Sequence, residues 1–381
     1  MGDRELHTTD VAIVGGGIAG VSVAARLAEA GASVTLLEQE SELAFHTTSR
    51  SAALYLENEG GPIFHRLSSA SRDFFERAPG ADAPLLEPMP VLKVGDDSLR
   101  DGLLSQGELA REVTSNIELV DRSELLDLCP VLNLDVVTCG LLESSAASID
   151  VMGLHQLFVR AARGGGAELR RSSKLISGKR QLVDGRQRWK LETATGPIDA
   201  RVVVNAAGPW GDVVARSCGV GEIGLQPMRR TAFTAPAGQD PSGWPFIYSG
   251  IEDLECYFKP EAGSQLLCSL SDEQHSEPCD ARAEEIDVAL AVERINTVST
   301  LGLRSVKTTW AGLRTFAPDR DPVFGWDDQA KDFLWMVGQG GCGIVSAPAA
   351  GQIAASLIGG TDLPEPVTEL GLTEAMLAPR R

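Results

Sequence analysis

One stretch near the amino terminus, residues 10–40 (DVAIVGGGIAGVSVAARLAEAGASVTLLEQE), constrains the fold more than any other part of the sequence. It opens with a short apolar run typical of a parallel strand that is covered on both faces. Three glycines then match the pattern GxGxxG. Gly15 permits a tight turn, Gly17 lets a pyrophosphate approach the backbone, and Gly20 lets the following helix pack on the strand. The stretch therefore predicts a strand, a glycine turn and a helix in immediate succession.

The second strand predicted after this helix, VTLLE, ends at Glu38, whose carboxylate can accept hydrogen bonds from ribose hydroxyls. A GxGxxG pattern alone is a weak signal, because glycine turns are common. Here the strand, the helix, the second strand and the terminal acid all fall at the spacing of a dinucleotide-binding unit, in which helix amides face the phosphates. The motif predicts dinucleotide binding but does not distinguish NAD from FAD.

Composition and charge exclude two classes of partner. The 381 residues suffice for two domains, and 34 Lys and Arg against 53 Asp and Glu give a net charge of −19. Nucleic acids and anionic membranes bind preferentially to basic surfaces, so neither is expected as a partner of this acidic chain. The seven cysteines form no CxxC pair and the histidines show no metal spacing, so neither a disulfide framework nor a metal site is predicted. The sequence shows no apolar signal core, and we expect the protein in the cytoplasm.

Two later segments also combine a strand with a turn of small residues, and they favour FAD over NAD as the cofactor. Residues 200–215 predict a buried strand followed by the small-residue turn NAAGPW, where a backbone can approach a ligand closely. Residues 333–357 predict a strand, the turn GQGGCG and a helix. A sheet whose strands come from the beginning, the middle and the end of the chain must be interrupted by inserted segments.

Four motifs in order, the N-terminal strand–helix–strand unit, VVNAAGPW, WAGLRTFAPDRDPVFG and GQGGCGI, make the chain similar to the D-amino acid oxidase superfamily of flavoproteins. Within that superfamily, HTTSRSAA, GLQPMRRTAF, YFKPEAG and EAMLAPRR most resemble the bacterial D-arginine dehydrogenases. The resemblance runs over nearly the whole chain. It implies a non-covalently bound FAD and a substrate that is oxidised at an amine-bearing carbon.

The resemblance also implies the architecture, a combination of α/β and α+β folds. A Rossmann-like FAD-binding domain of the glutathione-reductase type is expected from residues 1–80, 150–225 and 305–381. A substrate-binding domain with an antiparallel sheet is expected from the inserted residues 81–149 and 226–304, where short strand patterns alternate.

In this family the loop after the second strand lies along the flavin and its diphosphate. The stretch HTTSRSAA stands at that place, so we favour a cofactor contact over the solvated loop that a Ser/Thr-rich stretch usually forms. The resemblance and the glycine motifs together predict these cofactor-binding residues: Gly15, Gly17, Gly20, Glu38, Thr48, Arg50, Ser51, Ala52, Ala207, Gly208, Trp210, Gly340 and Gly343.

Flavin-dependent amine oxidation transfers a hydride from the substrate Cα to the flavin and leaves an imine, so the protein supplies placement rather than a nucleophile. The resemblance puts Arg314 and Arg230 at the substrate carboxylate, which a guanidinium can bind as a bidentate fork. Tyr257 would add a hydroxyl from a neighbouring strand, and Gly341 would offer its carbonyl to the substrate amine. These four residues are the predicted catalytic set.

Each of these side chains has a simpler structural alternative. Arg314 could form an ion pair with Asp319 or Asp321. Arg230 could lie on a solvated strand face, and Tyr257 could be a core aromatic. The motif context favours the functional interpretation, most strongly for Arg314 and Tyr257.

Three substrate-pocket positions depart from the D-arginine dehydrogenase pattern. That enzyme reads the distal guanidinium with a glutamate and has a histidine and a tyrosine on the amine side, whereas Val91, Leu54 and Glu59 occupy the aligned positions here. A valine leaves a buried guanidinium without a partner, which is costly, so D-arginine is not the expected substrate. A long, N-substituted or lysine-like amino acid or amine of a specialised pathway fits better. Glu59 could also be a solvated loop carboxylate.

The lead hypothesis is FAD-dependent oxidation of a C–N bond in an amino acid or a derived amine. The alternatives are a flavin-binding scaffold without activity and an NAD-linked dehydrogenase. The small-molecule amine is the expected partner, and the sequence leaves the electron acceptor and the oligomeric state open. Cys268, in QLLCSLSD, stands near the point where sarcosine-oxidase-like relatives have a lysine beside the flavin, which favours slow reaction with oxygen.

Overall fold

The computed structural model describes residues 7–57, 59–111, 116–183 and 185–379. Its strands are β1 His7–Val14, β2 Val34–Leu37, β3 Leu54–Tyr55, β4 Leu86–Pro88, β5 Val91–Gly95, β6 Ile117–Asp121, β7 Cys139–Glu143, β8 Ala147–Ile149, β9 Glu168–Arg170, β10 Leu175–Val183, β11 Arg186–Thr193, β12 Ile198–Asn205, β13 Gln226–Pro236, β14 Phe246–Ser249, β15 Cys256–Glu261, β16 Gln265–Ser269, β17 Gln274–His275, β18 Thr308–Phe316, β19 Val323–Trp326 and β20 Phe333–Val337.

The helices are α1 Ile18–Glu29, α2 Pro62–Arg77, α3 Arg100–Ala110, α4 Arg122–Leu128, α5 Val151–Gly164, α6 Gly211–Ser217, α7 Glu285–Val298, α8 Gly343–Gly359, α9 Glu365–Glu369 and α10 Glu374–Leu377. Short 3-10 turns span Thr47–Arg50 and Gly208–Trp210. No helix within the described ranges combines the length and the apolar character needed to cross a bilayer.

The first sheet has a parallel centre in the order β9-β2-β1-β12-β20, flanked by the antiparallel strands β10, β11 and β19. The apolar run of β1 is continuous because both its faces are covered. Val11 and Ile13 pack into the cluster that contains α1 and α8, whereas Ala12 and Val14 pack into the cluster on the other face. The predicted strand, glycine turn and helix are confirmed, and the strands of this sheet come from the beginning, the middle and the end of the chain.

The inserted segments build a second sheet in the order β17-β13-β16-β15-β14-β5-β7-β6, with β18 paired to β13. Its pairs are antiparallel as predicted except β5 with β14, which is parallel. That pair joins a strand of the first insertion to a strand of the second, so no hairpin dictates its direction. The combination of an α/β and an α+β region is confirmed.

The predicted division into domains stays a prediction at the level of residue boundaries. Residues 308–316, which the division groups with the FAD-binding segments, form β18 and pair with β13 along its length. The chain therefore adds a strand to the second sheet before β19 and β20 return it to the first.

Side chains of the second sheet alternate between a buried core and a cavity, as a pleated strand requires. Leu92, Ile247 and Phe258 face the core cluster that includes residues of α4 and α7. Val91 and Tyr257, each next in sequence to one of them, belong to a smaller cluster on the opposite face. The period of two thus determines which residues of β5, β14 and β15 can meet a ligand.

A buried acid fixes the segment that connects β3 to α2. The Glu57 carboxylate is 3% exposed, accepts a hydrogen bond from the Tyr55 hydroxyl at 2.8 Å and forms an ion pair with Arg72 of α2. The segment with Glu59 follows directly, so this pair anchors one end of it to the core.

Replacing Arg72 by Met should lower the free energy of unfolding by about 3 kcal/mol, because the Glu57 carboxylate loses its charged partner inside the protein. Arg77→Met is the matched control on the same helix. Its pair with Asp73 lies in solvent and should contribute less than about 1 kcal/mol. Urea titrations followed by tryptophan fluorescence measure both changes, and equal losses in the two variants would contradict the prediction.

Candidate active site

A cavity of about 550 Å³ opens at the carboxyl ends of the parallel strands. Val14 and Leu37 line it as the last residues of β1 and β2, and Ala206 follows β12 directly. The carboxyl edge of a parallel sheet is where open α/β folds bind ligands. All the predicted cofactor-binding residues except Gly20 line this cavity.

Two helices begin at the cavity without a capping side chain and without an acid in the first turn. One is α1, which starts after Gly17, and the other is α8, which starts after Cys342. Gly17, Ile18 and Gly343 line the cavity, so the backbone amides and the positive ends of both helix dipoles face it. The Ile18 amide donates to Thr48 Oγ1, and the other first-turn amides have no capping side chain, so this donor set fits the phosphates of a bound dinucleotide.

The glycine turn is close-packed. Gly15 has φ +115°, and a Cβ on it would lie 2.3 Å from the Ala206 carbonyl oxygen. A Cβ on Gly20 would lie 1.9 Å from the Gly15 carbonyl oxygen, so only glycine lets α1 sit against β1. Gly20 therefore acts through packing, as the motif predicts, and does not itself line the cavity. That Gly17 contacts the pyrophosphate stays a prediction.

Glu38 lies at the end of β2 and is 8% exposed. Its Oε2 accepts a hydrogen bond from the Gly16 amide at 2.7 Å, and its Oε1 accepts one from the Glu40 amide at 2.9 Å. Burial raises the pKa of this carboxyl against the lowering effect of the two amide bonds. Each carboxylate oxygen can accept a further bond, so the orientation fits ribose hydroxyls.

The loop of residues 46–52 borders the cavity, but its arginine points elsewhere. Thr48 Oγ1 accepts a hydrogen bond from the Ile18 amide at 3.0 Å, at the start of α1. The Arg50 guanidinium donates to the carbonyl oxygens of Ala281 and Ala311, both at 2.9 Å, and pairs with Asp280 at 2.5 Å. Its guanidinium thus holds the loop against β18, and a contact of Arg50 with the cofactor stays a prediction.

The two other turns complete the wall of the cavity. Gly208 has φ +51° with open space where a Cβ would be, and Gly340 has φ +52° with Phe316 packed against it. The Trp210 ring packs at 4.5 Å from His46, which supports the same wall. The remaining predicted contacts that line the cavity are Ser51, Ala52, Ala207 and Gly343.

A second cavity of about 840 Å³ adjoins the first under the second sheet. Arg230, Tyr257, Arg314 and Gly341 line both cavities. The predicted catalytic residues therefore stand at the junction between them. A ligand in the second cavity would meet a cofactor in the first at this place.

No ion pair joins Arg314 to a carboxylate among the described residues, so the functional interpretation is favoured over a structural pairing. Its guanidinium lies against Gly341, where an added Cβ would be 3.0 Å from Nη1. A half-buried guanidinium without a carboxylate partner can bind an anion, since its donors remain available.

Arg230 lies beside Arg314 and turns to the same junction. Its Nε donates to the Asp272 carbonyl oxygen at 2.7 Å, and its Nη2 lies 3.3 Å from Glu273. Burial, and then the charge of Arg314, lowers the pKa of Arg230. The adjacent Arg229 faces the opposite side of β13 and pairs with Asp287 at 2.9 Å. Of the two consecutive arginines, Arg230 is thus the one at the cavities.

Two residues of the second cavity, Tyr248 and Lys93, escaped the sequence analysis. Tyr257 stacks on Phe246 at 5.1 Å and stands opposite Tyr248 across the β14–β15 pair. Lys93 stands opposite Tyr248 across the β5–β14 pair. The alternation of LKV with FIYS and CYF could have indicated a shared face, but the pairing of β5 with β14 is not readable from sequence.

The three substrate-pocket positions all line the second cavity, with Val91 buried, Leu54 half-buried and Glu59 exposed. Cys268 does not face either cavity. It is fully buried in the core on the other face of the sheet, and Leu267 is its neighbour on the cavity side. The inference from Cys268 to slow oxygen reaction therefore loses its geometric basis.

The sequence and the fold are similar to those of known proteins. Residues 10–357 match the family model described as FAD dependent oxidoreductase (DAO). The chain is 24% identical over 366 residues to glycine oxidase of Bacillus licheniformis, covering 92% of each. It is 24% identical over 368 residues to mitochondrial dimethylglycine dehydrogenase of Homo sapiens, covering 90% of this chain and 42% of that protein. The crystal structure of glycine oxidase from Geobacillus kaustophilus matches with a TM-score of 0.83 at 19% identity, covering 98% of this chain and 99% of that one.

The fold and the cavity define an oxidoreductase built to hold a dinucleotide. Because the family model spans most of the sequence, the chain belongs to the FAD-dependent oxidoreductases of the DAO family. FAD is therefore its cofactor, and the NAD-linked alternative is set aside. The closer resemblance to D-arginine dehydrogenase stays a prediction, and so do the cytoplasmic location and the individual roles of the site residues.

Replacing Glu38 by Gln should weaken FAD binding by roughly tenfold or more, because a charged acceptor for the ribose is lost. The measurement is a fluorescence titration of the apoprotein with FAD. Glu42→Gln is the matched control, since Glu42 pairs with Arg171 at an exposed position and does not line the cavity. Equal affinities of the Glu38 variant and the unaltered protein would contradict the assignment.

Proposed function

We propose that the protein oxidises a C–N bond in an amino acid or an amino-acid-derived amine, and that Arg314 and Arg230 bind the substrate carboxylate. The observation that carries this proposal is the Arg314 guanidinium, which has no carboxylate partner in the described part of the chain and lines both cavities. Two arginines at one junction favour an anionic ligand, since their own repulsion is relieved when a carboxylate binds.

The names of the relatives support amine chemistry. Glycine oxidase and dimethylglycine dehydrogenase are both named for amino acids, one with a primary and one with a tertiary amine. A carboxylate next to an amine-bearing carbon is common to both names. We infer that the substrate of this chain has the same feature. The shape of the second cavity would determine the rest of the substrate.

Bound FAD would supply the oxidant, taking a hydride from the substrate carbon as the amine becomes an imine. The protein would supply position. Arg314 would bind the carboxylate as a fork and so fix the Cα at the junction. Tyr257 would add a hydroxyl there, and the Gly341 carbonyl would accept a hydrogen bond from the substrate amine. The buried rings of Tyr257 and Phe246 would exclude water from that side.

The residues that line the second cavity indicate which groups the rest of the substrate can carry. Val91 and Leu54 offer nothing to a distal guanidinium, which supports the expectation that D-arginine is not preferred. A lysine-like substrate, one of the options left by the sequence, would meet both Lys93, which repels its ammonium group, and the acidic side chains Glu59 and Glu143, which attract it. Glu59 remains available to an amine from the exposed side.

Replacing Arg314 by Leu should abolish reduction of the flavin by amino acids while FAD stays bound. The holoprotein is mixed anaerobically with D-, L- and N-substituted amino acids, and bleaching of the oxidised-flavin band is followed. We expect a loss of roughly 10³-fold or more in the rate of reduction at subsaturating substrate, because both binding and alignment depend on the fork. Arg314→Lys should retain part of the rate, since it keeps the charge but not the fork.

Arg304→Leu is the control, because Arg304 is exposed on the segment before β18. It should reduce the flavin as fast as the unaltered protein. If no amino acid bleaches the unaltered holoprotein, the alternative of a flavin-binding scaffold replaces the proposal. If Arg314→Leu retains full reduction, the carboxylate is bound elsewhere.

We also propose that the FAD is held without a covalent bond. Precipitation of the purified holoprotein with acid should leave the yellow colour in the supernatant, because only hydrogen bonds and packing would hold the cofactor. A yellow pellet, with flavin attached to a peptide after proteolysis, would contradict this.

A further inference from the structure

Lys93 stands at the far end of a row of cavity-facing side chains. In register across the second sheet, Lys93 of β5 lies beside Tyr248 of β14, and Tyr248 lies beside Tyr257 of β15. The row then continues through β16 to β13, the strand that carries Arg230. Four strand spacings of ~4.8 Å separate β5 from β13, so the backbones that carry the two cations are roughly 19 Å apart. Both long side chains reach into the one cavity between them.

The charge of Lys93 is not neutralised by an ion pair in the described part of the chain. Its Nζ donates to the Gln106 side-chain oxygen at 2.7 Å and lies 5.8 Å from the centre of the Tyr248 ring. Both partners are uncharged. The other two donors of the ammonium group therefore remain available to a ligand.

The wall between the two cationic ends has an apolar and aromatic part, and acidic side chains line other parts of the same cavity. Val91, Leu54 and Phe246 line the cavity between or beside the cationic groups. An aliphatic spacer suits such a wall, whereas a second carboxylate would suit Lys93. Two of the acidic side chains that line the cavity pair with arginines, Glu273 with Arg230 and Glu255 with Arg294. Glu59 acts electrostatically on Lys93.

We propose that Lys93 and Tyr248 form a subsite for a second acidic group of the substrate, so that the enzyme acts on an amine that carries two carboxylates. This rests on the proposed function, because Arg314 and Arg230 bind the first carboxylate. Lys93 is then a specificity-determining residue. Its ammonium binds the distal carboxylate by a charge-assisted hydrogen bond, and the Tyr248 hydroxyl donates a second bond.

Glu59 affects the charge of Lys93, on which this subsite depends. Burial lowers the pKa of Lys93, and the Glu59 carboxylate opposes that shift, so it favours the charged ammonium that the subsite needs. Glu59 is exposed on the segment after β3 and lines the same cavity as Lys93. Its role here differs from the one predicted from sequence, in which it would meet an amine.

The test measures binding of carboxylates that cannot be oxidised at an amine. The FAD-loaded protein is titrated with matched pairs of linear acids, butyrate with succinate, pentanoate with glutarate and hexanoate with adipate, by calorimetry. At the length that spans the two ends, the dicarboxylate should bind about tenfold or more tightly than its monocarboxylate partner. Lys93→Met should reduce the affinity for that dicarboxylate to the monocarboxylate level, and Lys93→Arg should preserve most of the difference.

Lys179→Met, on the exposed strand β10, is the matched control and should change nothing. Arg314→Leu should weaken the binding of monocarboxylates and dicarboxylates alike, because it removes the guanidinium that binds the carboxylate common to both. A corresponding effect is expected in catalysis with either enantiomer of glutamate and glutamine. In Lys93→Met, kcat/KM for glutamate should fall about tenfold, whereas kcat/KM for glutamine should not change.

Equal binding of the two acids at every length, or a preference that survives in Lys93→Met, would overturn the subsite. That result is distinct from failure of the proposed function. If neutral amino acids bleach the flavin but dicarboxylates bind no better, only the subsite is wrong. If dicarboxylates bind as expected but no amino acid bleaches the flavin, the subsite stands as a binding site and amine oxidation is wrong.

Discussion

The close approach of α1 to the strands beneath it determines the rest of the site. Gly15 and Gly20 leave no room for a Cβ, so the helix begins where β1 and β12 end. Two consequences follow from this one contact. The amide end of α1 faces an open cavity, and the loop that bonds it through Thr48 is held beside the same cavity. The second sheet can then cover a cofactor site that the first sheet has already shaped.

The second sheet shows how one periodicity gives both stability and specificity. Alternate residues of β5, β14 and β15 enter a core, and their neighbours line the substrate cavity. On β13 the same alternation separates two consecutive arginines. Arg229 pairs with acids on the helix side, whereas Arg230 joins Arg314 at the junction. A register shift of one residue would exchange them, so the binding site depends on the register that the core fixes.

Local signals in the sequence are enough to predict the first sheet and its glycine turns, because each motif lies within one turn or strand. The residues at the junction are predicted by the resemblance to a known family. Contacts between distant segments cannot be predicted from such local signals. The parallel pairing of β5 with β14 brings Lys93 beside Tyr248, and no local pattern encodes it. The orientation of Arg50 depends on Asp280, far along the chain, and the inward direction of Cys268 depends on which face β16 buries.

The electrostatic environment makes the unpaired cations informative. The chain carries 53 acidic against 34 basic residues, so a partner for an arginine or a lysine is readily available on most of its surface. The neighbouring Arg50, Arg72 and Arg229 are all paired. Leaving a half-buried guanidinium without a carboxylate is unfavourable for folding, since desolvation is not offset by an internal ion pair. An anionic ligand that restores this balance gains more binding free energy than it would at a neutralised site.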